Sequence, residues 1–550
     1  MSTLITHDLV PAALRRWWRH IGHYPGQDLF TLFAEHAHAH PHRQAVVDSE
    51  EVTTYRELHD AALRLAGSLA GLGVRPGEVV AVQLPNGWRA VAVDLAVAAL
   101  GAVVLPYPVG RGRRDAFALL RGSRAVVAIV ATQTGDDHNA ETVSSMRGEL
   151  PDLRSVVVAG PAGSGWDAAG PDGAGLDAML AGGPTLSTRP EIDPAGPARI
   201  LVSSGSEAAP KMVVYSHDAL TGGRGAFLSR LHTAPGPMRN LFLMPLSSSF
   251  GSSGTSVTLA RFGGTLLVQP RFDATACLEL IATHRPHLVF GVPAMFQKLL
   301  ASPTLATTDT SSLHAVVAGG SRVDPATVAA CREALGCAFV NCYGSADGVN
   351  CTTRPDADPV QLHSAVGRPD PAVAAIRVVG SDDRDVSEGE IGEVWALGPM
   401  SPMCYVDPRL NSRYRAPGGW VRTGDLGRLD ADGQLHIVGR CKDIIIRGGR
   451  NISPVEVELL LAQHPAVLAA ACVGVPDPVL GERLAACVVT HLAAPPPTLQ
   501  SLAAFLVEEH GLETVKLPER LKVLGELPLN PAGKVDKAAL RALLHRDSAA

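Results

Sequence analysis

The chemistry-bearing residues of this 550-residue chain lie in a few short runs. Ile200-Leu201-Val202-Ser203-Ser204-Gly205-Ser206-Glu207-Ala208-Ala209-Pro210-Lys211 carries an apolar strand into a small, hydroxyl-rich loop closed by a lysine. Such a loop offers backbone N–H groups, serine hydroxyls and an ammonium to phosphate oxygens. Gly205 to Lys211 has Walker A spacing, but Pro210 replaces the second glycine and Met212 follows the lysine, so it is not that motif. Leu241 to Leu246 reads as a strand that runs into the polar stretch Ser247-Ser248-Ser249-Phe250-Gly251-Ser252-Ser253-Gly254, which opens a helix. Near the C-terminal end, Ile444 to Ile446 reads as a buried strand broken by Gly448-Gly449, where the chain can turn or a ligand can pass close. Ser453-Pro454-Val455-Glu456 then starts a helix, with Ser453 as N-cap, Pro454 at the first helical position and Glu456 closing a capping box.

These runs, in this order, resemble the motifs of the adenylate-forming enzymes: acyl- and aryl-CoA synthetases, peptide-synthetase adenylation domains and firefly luciferase. The resemblance covers nearly the whole chain and is nearest to the acyl-CoA ligases. The phosphate loop of that family reads Ser/Thr-Ser/Thr-Gly-Ser/Thr-Thr-Gly-x-Pro-Lys-Gly. Ser203, Ser204, Gly205, Ser206, Pro210 and Lys211 match it, whereas Glu207, Ala208 and Met212 do not. Glu207 puts a negative charge where the polyphosphate would lie. Tyr343-Gly344-Ser345-Ala346-Asp347 is similar to the Tyr-Gly-x-Thr-Glu motif, with Ala346 for the threonine and the shorter Asp347 for the glutamate. Arg422-Thr423-Gly424-Asp425 matches its motif fully, and Leu527 to Lys537 resembles the loop that ends in Gly533-Lys534.

The resemblance implies a role for each position. Ser203, Ser204, Gly205, Ser206 and Lys211 would hold the phosphates of ATP. Gly319, Gly320 and Ser321 would pack on the adenine, with Tyr343 and Gly344 stacking beside it. Asp347 would bind Mg²⁺, and Asp425 and Arg440 would hold the ribose. Lys534 would neutralise charge developing on the α-phosphate and the carboxylate. Lys442 would be the pivot of a mobile domain. Gly448 and Gly449 would line a tunnel for the pantetheine of CoA. Ser248, Ser249 and Phe250 would line the acid pocket. CoA ligases often carry histidine where Ser248 stands. Amino-acid-adenylating domains carry aspartate where Ser249 stands, which disfavours an α-amino acid here.

The implied fold is α/β: a large domain of several subdomains, with parallel sheets flanked by helices, over residues 1–440, and a small mobile α+β domain over 441–550. The implied reaction is activation of a small-molecule carboxylic acid by ATP and Mg²⁺, then transfer to a thiol, CoA by preference, as in an acyl- or aryl-CoA ligase of secondary metabolism. Two alternatives stay open. One is another acceptor, such as a carrier protein or an amine, or an unusual acid such as nitrous acid in diazo formation. The other is a nucleotide-binding relative without turnover, suggested by Glu207 and Ala208.

The elements that must position these groups are legible in outline. Thr54-Tyr55-Arg56-Glu57 is a capping box, and Leu58, Ala62, Leu65, Leu69 and Leu72 recur behind it at helical spacing up to Gly73. A strand over 79–84, a helix over 88–100 and a strand over 102–105 follow, the alternation of a parallel sheet covered on both sides. Further strands are expected over 265–268, 288–290 and 315–318, a hairpin turn at Ala431-Asp432-Gly433, and in the small domain helices over 456–464 and 499–509 and strands over 473–477 and 485–489. Residues 160–195, rich in glycine, alanine and proline, read as a loop. The lead-in through residue 28, with Trp17-Trp18, carries no assignable role. His36, His38, His40 and His42 alternate on an expected helix, which scatters them around it as surface residues and makes no metal site.

Composition excludes other classes. A net charge of −6 gives no electrostatic case for nucleic acid. The nine cysteines contain no Cys-x-x-Cys pair, which points to reduced thiols and a cytoplasmic home. The longest apolar run, Val91 to Pro106, is too short to span a bilayer and carries Asp94, and no signal-peptide core precedes it, so no membrane partner is expected.

Overall fold

A computed structural model describes residues 6–49, 51–134, 138–160, 175–203, 210–358, 362, 365–448, 450–491, 495–529 and 535–549. The chain divides into two compact units. The first is Met1–Ile376 with Ala396–Arg422, and the second is Arg377–Trp395 with Thr423–Ala550.

The first unit holds two large sheets. In the eight-stranded sheet, the central strands Ala338–Ser345, Ala315–Gly319, Leu288–Gly291, Arg239–Phe242, Thr265–Val268 and Gln44–Val47 run parallel. Val349–Thr352 and Val52–Thr54 close its two edges antiparallel. In the seven-stranded sheet, Pro197–Val202, Val103–Pro106, Val79–Gln83, Val127–Ala131 and Ser155–Ala159 are parallel, and Met212–Ser216 and Cys404–Tyr405 extend one edge antiparallel. Central strands such as Val79–Gln83 and Ala315–Gly319 are buried throughout, as strands covered on both faces must be. Their core is shared with the helices Leu29–Ala39, Tyr55–Gly71 and Trp88–Ala99. The last of these buries every residue from Val91 onward, which accounts for the long apolar run as a core helix followed by a core strand.

The lead-in forms a helix, Ala12–His20. Trp18 packs against Val10 and Tyr24, and Arg15 bonds Asp8, the Tyr24 hydroxyl (2.8 Å) and the Ser401 carbonyl (3.0 Å). Its role is structural. The expected loop over 160–195 contains a helix, Leu176–Gly182, whose Leu176, Met179 and Leu180 supply the apolar face that composition hid.

The second unit contains most of a four-stranded sheet in the order Ala375–Val379, Gly392–Leu397, Val421–Leu429, Leu435–Arg440. A five-stranded sheet follows, in which Gly481–Thr490 lies between Val467–Asp477 and Arg520–Leu524 and also pairs with Ile445–Arg447. Helices Pro454–Leu461 and Leu499–Glu508 and strands Ile445–Arg447, Val467–Asp477 and Gly481–Thr490 share one apolar core. Parallel sheets flanked by helices in a large part and a mixed α+β arrangement in a small one agree with the expected fold class. No helix among the described residues is long and apolar enough to cross a membrane.

Candidate active site

Two strand ends, one from each large sheet, bring the first cluster together. Lys211 immediately precedes the strand Met212–Ser216 of the seven-stranded sheet, and Asp347 follows the strand Ala338–Ser345 of the eight-stranded one. Lys211 Nζ lies 3.3 Å from Asp347 Oδ1 and 3.5 Å from Oδ2. Both residues are buried. The Tyr405 hydroxyl donates to Asp347 Oδ1 at 2.6 Å. The ammonium also lies 4.1 Å from the Tyr414 ring centroid and 5.7 Å from that of Tyr405, so aromatic faces complete its cage. Burial, and then the Asp347 charge it faces, push the Tyr405 phenol well above its ordinary pKa, so it acts as a neutral donor. Gly348 holds the turn after Asp347 at φ +96°, and a Cβ there would meet Pro402 Cδ at 2.4 Å, so glycine is required.

Ser203 N donates to the Lys211 carbonyl at 2.9 Å. The Ser203 hydroxyl is buried with no hydrogen-bond partner among the described residues. Ser204, Gly205 and Ser206 lie outside the described residues, as do Glu207, Ala208, Gly449 and Lys534.

Gly319 ends its strand beside Cys342. A Cβ on Gly319 would come within 3.1 Å of Phe250 Cε1, so the pocket stretch and the glycine turn touch. Gly320, at φ +89°, and Ser321 are exposed, as is Gly344, while Tyr343 is half-buried. Ser248 Oγ accepts from Gly251 N at 3.0 Å, and Ser249 is gripped by Arg224, whose Nη2 donates to Ser249 Oγ at 3.1 Å. The Tyr215 hydroxyl donates to the carbonyl of Ala346, next to Asp347, at 2.9 Å.

In the second unit, Asp425 and Arg440 face each other across the hairpin of Val421–Leu429 and Leu435–Arg440, with Arg440 Nε 3.0 Å from Asp425 Oδ1. Thr423 Oγ1 accepts from Asp425 N at 3.1 Å and donates to the Val394 carbonyl at 2.7 Å, fixing the carboxylate from behind. Lys442 is exposed in the short turn Cys441–Asp443. Gly448 has φ +56° and lies in the loop of a hairpin, because Arg447 pairs with Arg450. The strand Arg450–Ile452 thus stands where the sequence suggested a turn directly into a helix. The helix does begin at Ser453, whose hydroxyl accepts from Glu456 N, but the box is only half formed. Glu456 bonds Lys516 Nζ at 2.8 Å, and Ser453 Oγ donates to the Val438 carbonyl at 2.7 Å.

Tyr405, Tyr414 and Arg224 escaped the sequence reading. Each meets its partner only through folding, with Tyr405 separated from Asp347 by 58 residues, and no local periodicity marks such a contact. Of the four alternating histidines only His36 and His38 lie on the helix Leu29–Ala39, because His40 is its C-cap and His42 lies beyond it; His38, His40 and His42 are exposed, whereas His36 is half-buried near Gly263.

An "AMP-binding enzyme" family model matches residues 33–406, and an "AMP-binding enzyme C-terminal domain" model matches residues 456–534. The chain is 34% identical to a 2-hydroxy-7-methoxy-5-methyl-1-naphthoate–CoA ligase of Streptomyces carzinostaticus, with 96% of this chain and 95% of that protein covered. It is 30% identical to a salicyl-AMP ligase / salicyl-S-ArCP synthetase of Mycobacterium tuberculosis, over 96% of this chain and 93% of that one. Among solved structures, the amide bond synthetase McbA from Marinactinospora thermotolerans is similar with a TM-score of 0.81 at 30% identity, covering 94% of this chain and 99% of that chain. The chain belongs to the AMP-binding, adenylate-forming enzyme family. It is an AMP-forming acid ligase.

Proposed function

We propose that this chain activates an aromatic carboxylic acid as its adenylate and passes the acyl group to the thiol of CoA in the cytoplasm. The observation that carries the reading is the Lys211–Asp347–Tyr405 cluster, a buried cation and carboxylate at strand ends of the two large sheets. In the first half-reaction a carboxylate oxygen attacks the α-phosphorus of ATP, a P–O bond forms, and the bond to pyrophosphate breaks. No enzyme nucleophile is required, and catalysis is positioning and charge stabilisation. Lys211 with Ser203, Ser204, Gly205 and Ser206 takes the phosphates. Gly319, Gly320, Ser321, Tyr343 and Gly344 take the adenine, Asp425 and Arg440 the ribose, and Lys534 the developing charge. In the second half-reaction the thiol sulfur attacks the acyl carbon and AMP leaves, with Lys442 as pivot and Gly448-Gly449 beside the pantetheine.

Asp347 is the carboxylate of its cluster among the described residues, and Mg²⁺ sites of this kind use one or two carboxylates with phosphate oxygens and water. The donor set fits such an ion held jointly with ATP, where it would screen the phosphate charge. Lys211, now on Asp347, would then turn to the phosphates.

Support for an aryl acid and for CoA comes from the naphthoate–CoA ligase relative. Ser248, in place of the histidine common in CoA ligases, and the likeness to an amide bond synthetase favour a second reading, in which an amine or a carrier-protein thiol accepts the acyl group. The test is incubation with ATP, Mg²⁺ and pooled acids, with and without CoA, followed by mass spectrometry. An acyl-CoA formed only with CoA is the expected result. AMP release that ignores CoA sinks the CoA assignment and directs the next pool to carrier proteins, amines and nitrite.

A further inference from the structure

A buried guanidinium backs the pocket stretch. Arg224, only 5% exposed, opens the helix Arg224–Leu231. Its Nη1 donates to the Ser249 carbonyl and to Ser252 Oγ (3.2 Å), and its Nη2 donates to Ser249 Oγ (3.1 Å). Its face rests on Tyr215, 5.1 Å from the ring centroid. Ser252 Oγ in turn donates to the Ser249 carbonyl at 2.7 Å. None of these partners is a carboxylate, and Arg224 Nε has no hydrogen-bond partner among the described residues. The other cation acting on it, Arg199, is already paired with Asp94 at 2.6 Å. Two other buried arginines of the unit meet acids, Arg15 on Asp8 and Arg199 on Asp94.

A buried cation held by neutral oxygens is costly, and one that backs the half-buried stretch 247–250, proposed to line the acid pocket, favours a ligand that brings a further oxygen acceptor. Arg224 also dictates what Ser249 offers. Because Ser249 Oγ accepts from Nη2, its own proton is directed elsewhere, and the hydroxyl is presented as a donor. The wall therefore carries a positive field and an O–H donor where a substrate ammonium would need an acceptor. Phe250 completes it. The ring meets Phe290 edge-on with centroids 5.7 Å apart and closes against the Gly319 backbone, a flat apolar surface suited to a planar ring.

Building on the proposed function, we propose that Arg224 sets the acid specificity: the acid is an aromatic one that carries a second oxygen acceptor, a ring hydroxyl or a second carboxylate, which Arg224 and Ser249 recognise together. Hydrogen bonds to a charged group in a buried site decide about tenfold or more between a ligand that makes them and one that cannot.

The test compares full-length wild type, Arg224→Gln and Arg224→Lys. Pyrophosphate exchange is measured with benzoate, 2-hydroxybenzoate, benzene-1,2-dicarboxylate and 2-aminobenzoate. In parallel, calorimetry gives Kd values for the sulfamoyl-adenosine mimics of the benzoyl and 2-hydroxybenzoyl adenylates. Wild type should prefer an oxygen-bearing acid over benzoate by about tenfold or more in kcat/KM, with 2-aminobenzoate below both. The hydroxyl and dicarboxylate arms identify which acceptor is read. In R224Q the preference ratio should collapse toward unity, and R224K should restore part of it. A ratio unchanged in R224Q, or no preference in wild type, overturns the proposal. If no acid supports exchange, the proposed function itself fails, and the two mimics still decide the role of Arg224. A Kd ratio that collapses in R224Q supports it, and one that does not removes it.

Discussion

At the scale of single residues, the cluster around Asp347 ties stability to the proposed chemistry. The pair is buried, so neither charge is well solvated, and each depends on the other. Removing one partner of such a pair costs about 3–5 kcal/mol because the survivor is left uncompensated, whereas removing both is much less damaging. The two single losses should not be equal. In Lys211→Met, Asp347 keeps the Tyr405 hydroxyl bond. In Asp347→Asn, the ammonium keeps the Tyr414 and Tyr405 ring faces, worth about 2 kcal/mol at most, and loses its counter-charge. Urea denaturation of the full-length single and double variants should therefore show D347N the more destabilised single, and a double variant at least about 1 kcal/mol better than the sum. Additive losses would mean that the pair is not coupled. Pyrophosphate exchange should fall about a hundredfold or more in both single variants if Lys211 and Asp347 act on phosphate and metal. Retained exchange in either would remove that residue from the proposed site.

At the scale of elements, one helix start is tied to a histidine that must stay neutral. Helix Leu29–Ala39 is capped by Asp28, which accepts from Phe30 N and Thr31 N and is held by Arg189 at 2.8 Å. The remaining orphan N–H, that of Leu29, donates to His217 Nδ1 at 3.2 Å. Burial lowers His217 to about 4, against the pull of Asp28 and Asp193 and with the help of Arg189. Protonation would remove the acceptor and place a cation in the core. The folded pKa lies below the unfolded one, so the unfolded chain binds more protons between about pH 6.5 and 4. The stability contribution is complete above about pH 6.5 and drains away as pH falls toward 4, a loss on the order of a few kcal/mol. His217→Gln, which keeps an acceptor and cannot titrate, should flatten this part of a denaturation-against-pH curve. An unchanged curve would assign the acid sensitivity to other groups. Strands such as Thr265–Val268 and helices such as Tyr55–Gly71 were legible in the sequence because their apolar period and caps are local properties. The hairpin through Gly448, the half-formed box at Ser453 and the π-helical winding of Gly254–Arg261 were not. Each depends on a distant partner or on packing: Glu456 is claimed by Lys516, 60 residues away. The same distinction divides the site. Motif residues such as Lys211, Asp347 and Asp425 are marked by their neighbours in sequence, whereas Tyr405 and Arg224 meet their partners only through contacts made in the fold.

At the scale of the whole molecule, the two compact units divide the expected tasks unevenly. Lys211, Asp347, Tyr405 and the serine stretch 247–250 belong to the first unit, whereas Asp425, Arg440, Lys442 and Gly448 belong to the second. On the proposed roles, the second unit would serve both adenylation, through Lys534, and acceptor transfer, through the Lys442 turn and the Gly448 hairpin. If the two half-reactions use different residues of that unit, they should be separable by mutation. Lys534→Ala should lower pyrophosphate exchange by about a hundredfold or more, because it removes the cation proposed to meet charge that develops in the transition state. The same variant, supplied with preformed acyl-adenylate and CoA, should make thioester at a rate within a few-fold of wild type. Gly448→Val should show the opposite pattern. Its β-branched side chain is strained at φ +56° and crowds the hairpin loop, so thioester formation should fall while exchange is largely kept. Single-turnover assays of each half-reaction distinguish the cases. Equal loss of both half-reactions in K534A would mean that one arrangement of residues serves both steps, and the division of labour assigned to the second unit would be wrong.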